Sequence, residues 1–249
     1  MPLHSADALI LRSYKLGEAD RIVVFLTDDR GKRRGVAKGA RRPKSRFGGG
    51  LEPLTKARVS YFETERRDLV RLRYVEPVCS PLTSPNGEAL AYVGYFAELI
   101  DEWAPEADPA NALFRLGASV VESITAGVPV GRLARYFEYW LLRLQGVYPE
   151  TTTCSRCGSE ITGEARIAPA AGTFTCVGCE SPEQGVSLSS AALAFLQTAR
   201  TVAPDRLGSV ELSDGADRQL AVAHRLLIKA HLDKELKSPR VVREITGSV

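Results

Sequence analysis

The first 80 residues carry short apolar runs and two segments in which apolar and polar positions alternate with a period of two. This pattern predicts β-strands, because successive side chains of a strand point to opposite faces. The predicted strands lie at 8–11, 21–26, 35–39, 57–62 and 69–75. Five short strands with glycine-rich connections are typical of a small barrel such as an OB-fold, although an SH3-like barrel has the same periodicity.

Beyond residue 80 the apolar positions recur at intervals of three and four, which predicts helices. The change follows a proline-containing linker at 77–87, which we expect to interrupt any strand or helix. The predicted helices lie at 88–103, 110–125, 130–145, 189–202 and 214–236. Their aromatic side chains stand at core spacing, so we interpret them as packing residues and not as a platform for bases.

Four cysteines form the strongest chemical motif of the chain. Cys154 and Cys157 are separated by two residues, as are Cys176 and Cys179, and 18 residues separate the two pairs. This spacing is typical of a zinc ribbon, in which both pairs bind one tetrahedral ion. Four thiolates leave no open position for water, so we predict a structural ion; a redox role of the pairs is the competing interpretation. Cys79 lies apart and is interpreted as a packing residue.

Composition excludes several classes of protein. The chain has 249 residues, 44% of them hydrophobic, and a mean hydropathy of −0.11. It contains no run near the roughly 18 apolar residues that a membrane-spanning helix needs. Residues 1–11 lack the pattern of a secretory signal, so we expect a cytoplasmic protein. An odd count of five cysteines then argues against a framework of disulfides.

The formal net charge of +3 conceals a split. Residues 1–80 hold 18 Lys and Arg against 10 Asp and Glu, whereas the remainder hold 15 against 20. Nine cations, uninterrupted by an acid, lie within 30–46. Glycines in this run would each cost about 1 kcal/mol in a helix, so we predict a strand leading into a mobile loop that binds a phosphate backbone. Phe47, Tyr61 and Phe62 could stack on bases or belong to the barrel core.

With these motifs in view, the sequence resembles the RecO family of bacterial DNA repair proteins. The resemblance rests on 14–21, 35–48 and 51–53, and it continues through 136–144 and the ribbon that begins at Cys154. It implies a multidomain α+β protein, with an N-terminal OB-fold β-barrel followed by an α-helical domain that contains an inserted zinc ribbon of four cysteines. The expected boundaries are 1–80 for the OB-fold, 81–149 and 187–249 for the two parts of the helical domain, and 150–186 for the ribbon.

The resemblance also implies a function, that of a recombination mediator. Such a protein binds single- and double-stranded DNA, anneals complementary strands, and acts with RecR and the single-strand binding protein SSB to load RecA. No cofactor hydrolysis is involved, so the chain is not expected to be an enzyme, and it is expected in the cytoplasm with the nucleoid. Some members of the family lack the cysteines, which implies that zinc is not essential to the family's function, whereas this sequence keeps all four.

The expected DNA contacts come from the basic run. The principal contacts are predicted to be Lys38, Arg41, Arg42, Lys44 and Arg46, assisted by Lys32, Arg33 and Arg34. The resemblance further implies that the helical domain binds the acidic, Phe-terminated tail of SSB. Arg132, Arg135 and Tyr139 occupy the corresponding region, where a solvated helix face is the alternative interpretation.

Two other functions remain open at the level of the sequence. A module of OB-fold and zinc ribbon could bind RNA as an accessory factor in translation or transcription. The second is an enzyme, either a thiol oxidoreductase or a nuclease; a nuclease needs carboxylates clustered around an open metal, a pattern that the sequence does not suggest. Glu18 and Asp20 share a turn without a histidine partner, and we expect them to pair with Arg21 or to cap the turn.

Overall fold

Five strands close into an N-terminal barrel in the order β1-β2-β3-β5-β4, which confirms the predicted OB-type barrel. Neighbouring strands are antiparallel, except that β3 and β5 run parallel. The strands are Leu3–Leu16 (β1), Asp20–Thr27 (β2), Gly31–Ala37 (β3), Lys56–Phe62 (β4) and Leu69–Cys79 (β5). The computed structural model describes residues 2–63, 69–179, 185–232 and 235–246.

The barrel interior is filled by side chains that alternate along the strands. Tyr61 and Phe25 are fully buried there, and their rings meet edge to face with centroids 5.7 Å apart. Phe47 and Leu51, from the connection between β3 and β4, join the same core. The aromatic residues Tyr61 and Phe47 therefore stabilise the barrel and do not offer their faces to bases, whereas Phe62 is half-buried.

Pro77 corrects the predicted start of the linker. It lies within β5, opposite Ala57 of β4, and the strand continues to Cys79. β5 pairs with β3 only at 69–72. Along the second half of β5, its only partner among the described strands is β4. A proline is tolerated at such a half-edge position, because the missing N–H has no ladder to complete on the open side.

Six helices are described, and their bounds agree with most of the predicted helices. They are Ala89–Trp103 (α1), Asn111–Thr125 (α2), Val130–Leu144 (α3), Ser190–Ala199 (α4), Asp214–His231 (α5) and Ser238–Thr246 (α6). The helix predicted at 214–236 is too long, since Leu232 is extended and ends α5, and α6 was not predicted. None of the described helices has the length and apolar content needed to cross a bilayer.

The chain divides into two compact units. Unit 1 comprises Met1–Gly127 and Leu236–Ser248, and it contains the barrel, α1, α2 and α6. Within it α2 approaches β1 closely at Gly117, where a Cβ atom would lie 2.6 Å from Leu9 Cδ1. Unit 2 comprises Val128–Glu235. It contains α3, α4, α5 and a three-stranded sheet in the order β7-β6-β8, formed by Ala165–Ala168 (β6), Thr173–Cys176 (β7) and Val186–Leu188 (β8).

Candidate nucleic-acid interface and metal centre

Residues 38–47, which we call the basic loop, leave the end of β3 as a series of turns. Asp20 Oδ1 accepts a hydrogen bond from Gly39 N at 2.8 Å, and Arg41 N donates to Ala19 O at 2.9 Å. Gly39 has a φ of +72°, a conformation in which a side chain is strained. At the other end Phe47 is 2% exposed and inserts into the barrel core. The loop is therefore anchored to the barrel at both ends.

The anchor at Asp20 differs from the predicted pairing. Asp20 accepts from the loop backbone, while Arg21 Nη1 donates to Ser13 Oγ at 3.2 Å. A carboxylate at this position satisfies a backbone donor that the turn would otherwise leave open. We conclude that the turn between β1 and β2 positions the basic loop.

All five principal cations of the prediction lie on or beside this loop and are exposed: Lys38, Arg41, Arg42, Lys44 and Arg46. Within the described part of the chain, none of them forms an ion pair with a carboxylate. The Arg41 guanidinium donates to Gly17 O at 2.8 Å, and the Arg46 guanidinium lies 5.0 Å from the centre of the Phe47 ring. Their positive charge is thus held near the barrel, and no carboxylate of the described residues pairs with it.

The three assisting cations of the prediction are placed differently. Lys32 is 8% exposed, and its Nζ donates to the backbone oxygen of Asp101 at 2.6 Å and lies 3.4 Å from the Asp101 carboxylate. Arg33 lies 3.4 Å from Glu63, and Arg34 lies 3.1 Å from Glu106.

The reason is a short segment between α1 and α2 that covers the edge of β3. Lys32 N donates to Pro105 O, and Ala107 N donates to Lys32 O. This pairing satisfies backbone groups that β5 does not reach, and it brings Glu106 to Lys32 and Arg34. No local sequence pattern indicates this contact, because the partners are some 70 residues apart along the chain. Arg33 instead pairs with Glu63, directly after β4.

Two exposed arginines on β5 extend the basic surface and were not among the predicted contacts. Val36 of β3 is paired in register with Arg71, and Ala37 with Leu72. Lys38 and Arg73 each directly follow this last paired position. Arg71 and Arg73 are exposed, with no carboxylate partner among the described residues. The period-two pattern of β5 contained the signal, since both arginines alternate with buried positions.

The four motif cysteines meet in unit 2, and their sulfur atoms all lie within 4.8 Å of one another. The Sγ atoms of Cys157 and Cys176 are 3.8 Å apart. A Zn–S distance of about 2.3 Å in a tetrahedron gives about 3.8 Å between sulfurs, so the arrangement fits a single tetrahedral ion. Cys79 lies outside the cluster, with its sulfur 3.4 Å from Thr125 Oγ1.

The surroundings of the sulfurs favour a bound cation. Backbone N–H groups of Cys157 and Cys176 lower the pKa of the Cys154 thiol to about 6. Hydrogen bonding to Cys157 raises the pKa of the Cys179 thiol to about 12. Several thiolates crowded together repel one another, and a divalent cation removes that repulsion. These four cysteines could therefore hold a metal ion.

The three residues predicted to bind a peptide tail lie on α3. Tyr139 is fully buried, and Arg135 is 7% exposed and lies 3.1 Å from Glu138. Arg132 is half-buried, and its guanidinium donates to the backbone oxygens of Leu207 and Gly208. Arg132 is thus the only one of the three whose side chain has appreciable exposure.

Comparison with known proteins places this architecture in a family. A family model described as Recombination protein O N terminal matches residues 1–81, and one described as Recombination protein O C terminal matches residues 84–240. These two ranges include the barrel with its basic loop and the cysteine cluster.

Several similar relatives carry the name DNA repair protein RecO. The relative from Koribacter versatilis is 38% identical over 178 residues, which cover 70% of this chain and 71% of that protein. The relative from Geobacter metallireducens is 34% identical over 241 residues, 96% of each chain. The relative from Desulforudis audaxviator is 32% identical over 251 residues, 98% of each chain. Two adjoining family models and identities above 30% over nearly the whole length show that the chain belongs to the RecO family.

Proposed function

We propose that this protein is a recombination mediator of DNA repair that binds single- and double-stranded DNA and anneals complementary strands. The observation that carries the proposal is the basic loop, which holds five exposed cations without carboxylate partners among the described residues. Such cations displace the counterions of a nucleic acid when they contact its phosphates, and the release of counterions favours binding. Relatives named DNA repair proteins support DNA as the polyanion.

Annealing follows from the same charges. Two complementary strands repel each other through their phosphates, and a cationic surface that holds both lowers the cost of bringing them together. Contacts to phosphates carry no sequence information, so base pairing alone selects the partner strand. The proposed contacts are Lys38, Arg41, Arg42, Lys44 and Arg46. Lys32 and Arg34 instead pair with acids of α1 and the segment after it, and Arg33 pairs with Glu63 directly after β4.

We also propose that the protein acts with RecR and SSB to load RecA on single strands covered by SSB. A tail peptide of SSB would reach the predicted region of unit 2 through Arg132, because Arg135 and Tyr139 are buried. If Arg132→Ala leaves the affinity for a synthetic tail peptide unchanged, this location is wrong. An acidic tail would instead have to contact other exposed cations of the protein.

The metal that we propose for the cysteine cluster is a structural zinc ion. Bound to four thiolates, zinc has no open position for substrate, and it would hold together a sheet whose strands are only three or four residues long. The chemistry of annealing requires no contribution from this ion.

A salt titration tests the proposed DNA contacts. Replacing Arg41, Arg42 and Lys44 with alanine should weaken binding to all sequences similarly and flatten the plot of log affinity against log salt by about 0.7–0.9 per lost phosphate contact. The matched control replaces three exposed cations of α5, Arg218, Arg225 and Lys229, and should change the slope less. An unchanged slope in the loop variant would reject the assignment.

A strand-pairing assay tests the function itself. Complementary oligonucleotides, free or covered with SSB, should pair faster with the protein than without it, in the absence of any nucleotide. The loop variant should lose this acceleration. A preference for RNA over single-stranded DNA in direct competition would favour an RNA-binding accessory factor instead.

A further inference from the structure

An open row of side chains crosses the outer face of four adjacent barrel strands. The registers place Tyr14 of β1 beside Ile22 of β2, Ile22 beside Val36 of β3, and Val36 beside Arg71 of β5. Tyr14 is 47% exposed, and Ile22 and Val36 are half-buried. We call Tyr14, Ile22 and Val36 the apolar strip. It presents one aromatic ring and two aliphatic side chains to solvent on a rigid sheet.

The neighbouring row of side chains on the same face is not open to solvent, because α1 lies against it. Val24, two residues further along β2, is 3% exposed, and its partner Arg12 is bound by carboxylates of α1, with Nη2 2.9 Å from Glu102. The Arg12 guanidinium also interacts with the Tyr14 hydroxyl. The apolar strip therefore begins where the helical cover ends, and about half of the Tyr14 side chain is exposed.

Positive charge borders the apolar strip on the side of β3 and β5. Lys38, Arg71 and Arg73 are exposed, without carboxylate partners among the described residues, and Lys38 begins the basic loop. A single strand of nucleic acid offers a complementary pair of surfaces side by side, a negatively charged backbone and apolar base faces. The phosphates can follow the cations while the bases lie over the apolar strip.

We propose that the apolar strip stacks against bases of single-stranded DNA, with Tyr14 as the principal stacking residue. This inference rests on the proposed function and refines it. It distinguishes a contact made to unpaired bases from the contacts made to phosphates alone. Bases of a duplex already stack on one another and are not available to Tyr14. The apolar strip thus favours single strands, whereas the basic loop binds both forms.

Three fluorescent probes of equal length test the proposal with the full chain: oligo(dT), a chain of abasic phosphates, and a duplex. Tyr14→Ala should weaken binding of oligo(dT) about tenfold, the effect of losing one base–aromatic stack. Binding of the abasic chain and of the duplex should stay unchanged. Tyr14→Phe should retain the affinity for oligo(dT), because it keeps the ring.

A second exposed tyrosine supplies the matched control. Tyr74, on the outer face of β5, is 48% exposed and pairs with Ser60 of β4, outside the apolar strip. Tyr74→Ala should leave all three affinities unchanged. No loss with Tyr14→Ala, equal losses on oligo(dT) and the abasic chain, or an equal loss with Tyr74→Ala would overturn the inference.

The two proposals fail in different ways. If the wild-type protein binds the abasic chain and the loop variant does not, the proposed phosphate contacts stand whatever Tyr14 does. If the wild-type protein binds none of the three probes, the proposed function fails first.

Discussion

At the scale of single residues, unit 2 contains a buried polar network around His224. His224 is fully buried, with Nδ1 2.9 Å from Glu138 Oε2 and Nε2 3.0 Å from the Tyr148 hydroxyl. Glu138 in turn lies 3.1 Å from Arg135, whose guanidinium also lies 3.4 Å from Asp217. A neutral imidazole that donates to the carboxylate and accepts from the phenol satisfies both ring nitrogens. The network links α3 to α5.

This network predicts that unit 2 loses stability in mild acid. Burial lowers the pKa of His224, and the opposing effect of Glu138 does not compensate for it. Since the folded pKa lies below the unfolded value of about 6.5, the stabilisation is complete above that pH and is lost as the pH falls toward the folded pKa. In a Trp103→Phe background, fluorescence of Trp140 during urea unfolding reports on unit 2. The free energy of unfolding should fall from pH 7.5 to 5.5.

The control for this prediction is His224→Gln in the same background. Glutamine can bond to both neighbours but does not titrate, so the variant should show a smaller decrease over the same pH range. Acid also protonates the cysteines, but that effect is common to both proteins. Equal decreases in the two proteins would show that His224 does not cause the loss. Burial raises the pKa of Asp217, and this acts in the opposite direction at lower pH.

At the scale of elements, the ribbon combines four clustered sulfurs with three short strands. Its strands contain only three or four residues each, and the Cys176 N–H donates to Cys154 Sγ at 3.4 Å. Such short strands are marginal by themselves, which gives a bound ion a large share in their stability.

Cys154→Ser should therefore release the metal and unfold the ribbon. We expect metal analysis to fall from one zinc per chain to none, and amide protons of β6 and β7 to lose their protection from exchange. Cys79→Ser is the matched control, since Cys79 contacts only Thr125 among the bonds described for it. It should keep the metal. Zinc retained in full by Cys154→Ser would exclude the four-cysteine site.

An element could be predicted from the sequence where residues within that element determine its structure, and not where distant contacts do. The strands and α1 to α3 follow from periodicity, because each buries one face of its own sequence. β8 escaped prediction because its three residues form a strand only through pairing with β6. The end of α5 and the start of α6 were also missed, since contacts with α1 decide where α6 forms. Likewise, exposure of the basic loop follows from its composition, whereas the burial of Lys32 depends on a distant segment.

At the scale of the whole molecule, unit 1 is built from two separate stretches of chain. α6 returns to α1, where the Glu98 carboxylate accepts hydrogen bonds from the backbone N–H groups of Lys237 and Ser238. These groups lie at the start of α6 and lack helical partners of their own. Burial acts to raise the pKa of Glu98, but the hydrogen bonds from Ser238 and Lys237 outweigh it and lower the pKa.

Glu98→Ala should loosen α6 from unit 1. Loss of a charged acceptor at a helix N-terminus costs about 1–2 kcal/mol, so amide exchange in α6 should accelerate about tenfold. Glu88→Ala, at the start of α1, should leave the exchange of α6 unchanged. Unaltered exchange in the Glu98 variant would mean that apolar contacts alone hold α6 in place.

The split composition of unit 1 has a consequence for biosynthesis. A ribosome must translate all of residues 128–235 before the segment that completes unit 1 emerges. Until then the nascent barrel and α1 lack α6, and the face of α1 that it covers is open to chaperones or to other chains. Unit 1 is therefore the first unit to begin emerging from the ribosome, but the last to be completed.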